Sequence, residues 1–388
     1  MPRTPTVIDL FSGVGGFSLG AARAGFKILA AVENDPIAIE SHRKNFPNTK
    51  HLERNIRTLS GSNLLEAVGL NIGELSGLIG GPPCQGFSNM GRQYGRDGRN
   101  QLFGHFFRLV DQTKPAFFLA ENVPGILNPK YDSMRENALS KIPGHYKVLE
   151  PFKVKASDYG AATTRTRVFF FGYDDSRFKS DFTVESFSPP VDVETITVEM
   201  ALRGLPTNIS EDWKADDAEW RSVEKTNGNH FMTKATSSIP QGVGNKRAKE
   251  KYAIECLVSG CQGTKHLEAV KKRFTELGLG CTDEISRAPR LNPQGFCPTL
   301  RAGTASDRGS YQAIRPIHFS EPRVITPREA ARLQGFPDWF LFHPTKWHSF
   351  RQIGNSVSPL VSEYLLSRIY QSLKSIEKKL KFNLTAPK

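Results

Sequence analysis

Three things are scarce in this sequence. It contains no run of about 18 apolar residues, so no stretch is long enough to cross a bilayer as a helix. It has five cysteines in 388 residues, an odd and thinly spread set, which excludes the dense disulfide framework of a small secreted domain. Acidic residues are also in deficit, with 39 Asp and Glu against 52 Lys and Arg, a net charge of +13. A surplus of that size attracts polyphosphates and speeds encounter with nucleic acid, although it says nothing about fold. Biased tracts and internal repeats are missing as well. The opening MPRTPTVIDLF runs directly into an apolar segment, leaving no room for a signal or transit peptide, so a cytoplasmic location is expected.

With 38% apolar and 23% charged residues the chain reads as an ordered globular protein. Its length suits one large domain with a smaller one. Up to about residue 184, strand-like and helix-like segments alternate. Strands are expected at Val7–Phe11, Phe26–Glu33, Leu75–Ile79, Ala116–Ala120, Tyr146–Val154 and Arg167–Tyr173, and helices from Gly16 to Gly25 and from Pro36 to Phe46. This alternation predicts an α/β fold, a doubly wound, mostly parallel sheet with ligands bound beyond the carboxyl ends of its strands. After the Ser188-Pro189-Pro190 linker the periodicity fades. Residues 185–340 are expected to form a smaller loop-rich domain, and residues 341–388 a segment that returns to the first. Thr326-Pro327-Arg328-Glu329 has an N-cap followed by proline at the first helical position. An amphipathic helix is expected over about 358–376.

Asp9 to Gly20 reads as a strand, a glycine turn and a helix start. Glycines allow close backbone approach, and the helix N-terminus offers free N–H groups. Ser18 stands where the third glycine of the dinucleotide pattern G-x-G-x-x-G would fall, which disfavours an oxidoreductase. Glu33 ends the next strand, where a carboxylate accepts from ribose hydroxyls; alone it would read as a solvated strand-end acid. Cys84 follows Gly80-Gly81-Pro82-Pro83, whose prolines stiffen the backbone before the thiol. The next residues interleave Gly91, Gly95 and Gly98 with Arg92, Arg96 and Arg99. A partly exposed thiol in electropositive surroundings is a reactive one. Glu121 ends a further apolar run, and Arg165 and Arg167 open another strand at the same edge. The remaining cysteines, Cys256, Cys261, Cys281 and Cys297, form no C-x-x-C pair, which favours ordinary thiols over a zinc site, and no metal is expected.

Taken in order, Asp9–Gly20, Glu33, Pro82-Pro83-Cys84-Gln85, Glu121-Asn122-Val123, Arg165-x-Arg167, Thr326–Pro337 and Gln352–Val357 resemble the motifs of the C5-cytosine DNA methyltransferases. The resemblance spans about residues 5–372. It implies an S-adenosylmethionine-dependent, Rossmann-like catalytic domain, with residues 185 to about 300 as the target-recognition region. The implied chemistry is addition of the Cys84 thiolate to carbon 6 of a flipped-out cytosine, followed by methylation at carbon 5. Glu121 would hold or protonate N3, Arg167 would bind O2 and Arg165 would support it. Phe11, Gly13, Gly15, Gly16, Glu33, Asn55, Ile56, Pro83, Leu102, Asn355, Ser356 and Val357 would form the cofactor site. Ser88, Arg92, Arg96 and Arg99 would meet DNA.

Two positions depart from the family pattern. Asn55 stands where Asp is usual, and Thr163 where Gln is usual, two before Arg165. The first implies altered cofactor binding, and the second removes a contact. The resemblance further implies a bacterial, nucleoid-associated, monomeric enzyme acting on double-stranded DNA, the modification half of a restriction–modification pair. RNA methylation and a silent DNA-binding module are the competing readings. The basic variable region speaks against the first, and the full set of Cys84, Glu121, Arg165 and Arg167 against the second.

Overall fold

The computed structural model describes residues 4–83, 101–211, 219–225, 228–302 and 315–374. Cys84, Ser88, Arg92, Arg96 and Arg99 lie outside these residues. The fully buried strand β1 (Thr6–Leu10) leads through a glycine turn into α1 (Gly16–Arg23). β2 (Lys27–Glu33) leads into α2 (Pro36–Asn45), whose N-cap Asp35 accepts from Ile37 N and whose first residue is proline. Then come β3 (Lys50–Glu53), α3 (Gly61–Val68), β4 (Gly77–Gly80), α4 (Gln101–Thr113), β5 (Phe117–Asn122) and α5 (Asp132–Leu139).

The single strand expected over Tyr146–Val154 is two strands, β6 (Tyr146–Val148) and β7 (Phe152–Lys155). Both run antiparallel along one edge of β8 (Thr166–Asp174). The interruption contains Pro151, which has no N–H to give to the ladder. Among the described residues the sheet has eight strands in the order β3-β2-β1-β4-β5-β8-β6, with β7 also on β8. The first five are parallel to their neighbours, and β8 is antiparallel to β5.

Side chains on the central strands alternate between two cores, as a pleated sheet covered on both faces requires. Val7, Phe117, Leu119, Phe169 and Phe171 enter one core; Ile8, Leu10, Phe118, Val168 and Phe170 enter the other. The first core continues through Ile196, Val258, Leu291 and Leu300, so parts of the loop-rich stretch are packed with the sheet. Among the described residues that stretch contributes short elements: α6 (Val198–Leu202), β9 (Arg221–Ser222), α7 (His230–Thr236), α8 (Lys246–Glu250) with a wider helical turn over Lys251–Glu255, β10 (Leu257–Val258) and α9 (Glu268–Glu276).

Helix α10 (Pro327–Leu333) starts with the expected cap: Thr326 Oγ1 accepts from Glu329 N, and the Glu329 carboxylate accepts from Thr326 N. α11 (Lys346–Asn355) and α12 (Pro359–Ser372) follow. α12 lies against α1, where Ser362 Oγ donates to Gly16 O at 3.2 Å. A Cβ on Gly16 would overlap Val357 O, and one on Gly20 would overlap Ser362 Oγ. Glycine at these positions is what lets the last segment close on the first turn. No helix among the described residues is long and apolar enough to cross a membrane.

Candidate active site

The turn between β1 and α1 needs backbone that L side chains rarely adopt, with φ of 54° at Gly13 and 102° at Gly15. Gly13 N donates to Glu33 Oε2 at 2.9 Å. Glu33 Oε1 accepts from Asn34 N and Asp35 N at 2.7 and 3.0 Å. One carboxylate at the end of β2 thus fixes both the glycine turn and the entry to α2. Burial pushes the Glu33 carboxyl up, and these three N–H groups oppose it.

Above the turn lies a cavity of about 250 Å³. Phe11, Gly13, Gly16 and Glu33 line one side, Asn355, Ser356 and Val357 another, and Pro83, Glu121, Arg165 and Arg167 a third. A second lobe, also about 250 Å³, shares Phe11, Glu33 and Pro83 and adds Asn55, Ile56 and Leu102. Of the twelve residues expected around the cofactor, Gly15 alone lines neither lobe. Its open side is filled by the Phe46 ring, so it serves packing under the turn. Asn55 Oδ1 accepts from Arg57 N at 3.1 Å, which commits part of its acceptor capacity to the loop.

Strand pairing assembles the third wall. β5 and β8 run antiparallel in a register that places Glu121 opposite Phe169 and Asn122 opposite Val168, so Glu121 and Arg167 are diagonal neighbours on one face. Arg167 Nε lies 2.7 Å from Glu121 Oε1, and the two side chains are 15% and 9% exposed. The pair is close but not aligned, since Oε1 accepts no well-directed hydrogen bond among the described residues. Arg165 Nη1 donates to Gly354 O at 2.9 Å, pinning the start of β8 to α11. Asn122 Nδ2 donates to Pro82 O at 3.3 Å, which ties the end of β5 to the loop carrying Pro83. A Cβ on Gly81 would approach Glu121 Oε2 to 3.2 Å, so a bare backbone there leaves room for the carboxylate. Thr163 is fully buried in a bridge with Cys297, and its hydroxyl has no partner among the described residues. Burial pushes the Cys297 thiol up to about 12, which makes it inert as a nucleophile.

Several residues of this cavity were not among those expected from the sequence, and four of them bear polar or charged groups that matter here. Asp9 and Ser12 line it with buried acceptors, Asp9 Oδ1 and Ser12 Oγ, that have no partner among the described residues. Asp35 and Arg351 form an ion pair at 2.8 Å where the two lobes meet. Asp9 and Ser12 fall inside the glycine motif, so proximity could have suggested them. Arg351 adjoins Gln352, but its pairing with Asp35 has no signature in sequence.

Comparisons with known proteins place the chain in a family. The model of the family described as C-5 cytosine-specific DNA methylase matches residues 5–371. The Type II methyltransferase M.XorII of Xanthomonas oryzae pv. oryzae is 36% identical over 95% of this chain and 85% of its own. The Type II methyltransferase M.DdeI of Desulfomicrobium norvegicum is 31% identical over 94% of this chain and 88% of its own. A solved E. coli structure, assigned as a DNA modification methyltransferase encoded within a prophage, superposes with a TM-score of 0.85 at 49% identity. It covers 95% of this chain and 99% of its own. The S. pombe Dnmt2 methyltransferase shares the fold, with a TM-score of 0.60 at 18% identity over 95% and 99%. The chain belongs to the C-5 cytosine-specific DNA methylase family.

Proposed function

We propose that this DNA cytosine-5 methyltransferase modifies a defined sequence in double-stranded DNA, with S-adenosylmethionine as methyl donor, as the modification half of a restriction–modification pair. The observation that carries the reading is the convergence of Glu121, Arg167, Glu33 and Asn355 on one cavity whose wall includes Pro83, the covalent neighbour of Cys84. The cavity suits the cofactor. S-adenosylmethionine is cationic at its sulfonium and α-amino groups, and the wall offers the carboxylates of Asp9, Glu33 and Asp35, with acceptors on Asp9 and Ser12 that have no partner among the described residues. Gly13, Glu33, Asn55, Ile56 and Asn355–Val357 would hold it, and when bound it supplies an electrophilic methyl group.

The chain's own residues would do the rest. Carbon 5 of cytosine is a poor nucleophile until Cys84 adds through sulfur to carbon 6. Glu121, held in a nearly buried position, would hold or protonate N3 as charge moves into the ring. Arg167 beside it would take O2, and Arg165 would keep β8 in place through Gly354. Loss of the proton from carbon 5 then expels Cys84. The ring faces are covered in a duplex, so the base must leave the stack. Residues 185–340 would read the surrounding sequence, and the basic loop with Ser88, Arg92, Arg96 and Arg99 would contact the phosphates. M.XorII and M.DdeI, both Type II methyltransferases, support the pairing with an endonuclease.

Duplex DNA carrying 5-fluorocytosine tests this directly, because carbon 5 then has no proton to lose. A covalent complex with wild type that is absent with Cys84→Ala is the expected result. Methylation of ordinary DNA without any trapped complex would contradict the covalent route.

A further inference from the structure

Behind the glycine turn a line of polar side chains runs from the cavity wall toward the edge of the sheet. Asp9, on β1, lines the cavity and is 1% exposed. Its Oδ2 accepts from Ser18 Oγ at 2.7 Å, and its Oδ1 has no partner among the described residues. Ser18 Oγ lies 3.1 Å from His42 Nε2, and His42 Nδ1 lies 2.9 Å from His51 Nε2. Ser18 and His42 are fully buried, whereas His51, on β3, is partly exposed. Asp9 belongs to the wall proposed for the cofactor, whereas Ser18, His42 and His51 lie behind it and have no part in the mechanism above.

This line has two hydrogen-bonded arrangements that differ by one proton. With Asp9 ionised, Ser18 donates to Asp9, His42 donates from Nε2 to Ser18, and His51 donates from Nε2 to His42 Nδ1. With Asp9 protonated every bond reverses: Asp9 donates to Ser18, Ser18 to His42 Nε2, and His42 Nδ1 to His51 Nε2. Each imidazole changes tautomer, and neither carries a charge. Burial supports neutral rings, holding His42 well below the usual histidine range. Burial and then Arg43 bring His51 down to about 4, with Glu40 and a hydrogen bond to the Thr49 backbone opposing. Burial pushes the Asp9 carboxyl up to about 7; the Ser18 hydrogen bond lowers it and Glu33 raises it. The other charged groups facing the cavity are already engaged, Glu121 with Arg167, Asp35 with Arg351, and Arg165 with Gly354. His348 completes the titratable wall.

We propose that Asp9 is the counter-ion for the cationic end of S-adenosylmethionine, and that Ser18, His42 and His51 are positioning residues that carry off the proton Asp9 loses when that cation binds. This rests on the cofactor reading given above. A cation beside a carboxyl group favours its ionised form. The Asp9 proton passes to Ser18, the Ser18 proton to His42 Nε2, the His42 Nδ1 proton to His51 Nε2, and the His51 Nδ1 proton to water. Each imidazole gains a proton at Nε2 and loses one at Nδ1, so the net change is one proton passed from Asp9 to the solvent.

The test is calorimetric titration of the full chain with S-adenosylmethionine, without DNA, at pH 6.5 in two buffers of different ionisation enthalpy. Below pH 7 the cofactor's amino group, with a pKa near 8, stays charged and does not confuse the count. Wild type should release roughly half to one proton, and its affinity should rise up to about tenfold per pH unit on the acid side of pH 7. Asp9→Asn should show neither effect. Nitrogen-15 spectra of the wild-type imidazoles, which need no variant to fold, should show His42 and His51 exchanging Nδ1–H for Nε2–H as cofactor is added. Binding with no buffer-dependent heat and no change of tautomer would overturn this inference and leave the cofactor reading standing. A folded protein that does not bind S-adenosylmethionine at all would remove both.

Discussion

Glu121 and Arg167 meet because two neighbouring strands run in opposite directions, and their contact is short without being a well-directed hydrogen bond. Such a carboxylate is placed by charge and left with acceptor capacity facing the cavity. Glu121→Gln keeps the shape and removes the charge, and should lower kcat roughly 10²–10⁴-fold, the usual worth of a positioned acid or base. Steady-state kinetics checks this; a change of only a few fold would remove its role. Gly16 illustrates the opposite kind of constraint, space rather than chemistry. Gly16→Ala would force Val357 O away and should cost about 1–3 kcal/mol, read as a lowered Tm, together with weakened cofactor binding. Glu121 and Glu33, which both line the cavity, are legible in the sequence because each ends an apolar run. The Asp35–Arg351 pair and the Asp9–Ser18–His42–His51 line are not, because they join residues distant in the chain whose types are ordinary for a surface or a core. Gly15 is legible as a turn residue, but its partner Phe46 is not.

Among the elements, those with a strong local signal appear where the sequence puts them. β1 and β2 are apolar runs closed by Gly13 and Glu33, and α2 begins at an Asp-Pro step. β3 is a short polar edge strand that owes its place to pairing with β2, so periodicity cannot reveal it. The Tyr146–Val154 reading fails at Pro151, where apolar content suggests continuity and the missing N–H denies it. α10 combines a visible cap with a hidden load. Thr326→Ala should cost about 1 kcal/mol, the worth of one N-cap. Asp338→Ala should cost more, about 3–5 kcal/mol, because it strands the fully buried Arg332, which pairs with Asp338 at 2.6 Å. Denaturant unfolding of the two variants checks the order, and equal losses would contradict it.

For the whole molecule, the sheet order, the return of α12 onto α1 and the cavity between the two ends of the chain explain why the motifs are spread from Asp9 to Val357. A net charge of +13 favours encounter with a polyanion, and the family to which the chain belongs is one of DNA methylases. The loop-rich stretch shares the main core, yet its short elements carry little periodicity, so its fold was not legible in advance.

We propose that this chain methylates carbon 5 of cytosine in DNA through Cys84. The most direct test is bisulfite sequencing of the genome of a bacterial host without its own cytosine methylation, expressing either wild type or Cys84→Ala. Protected cytosines in one short motif with wild type, and none with Cys84→Ala, are the predicted result. An unprotected genome in the presence of folded wild-type protein would contradict the account and turn the search to cellular RNA.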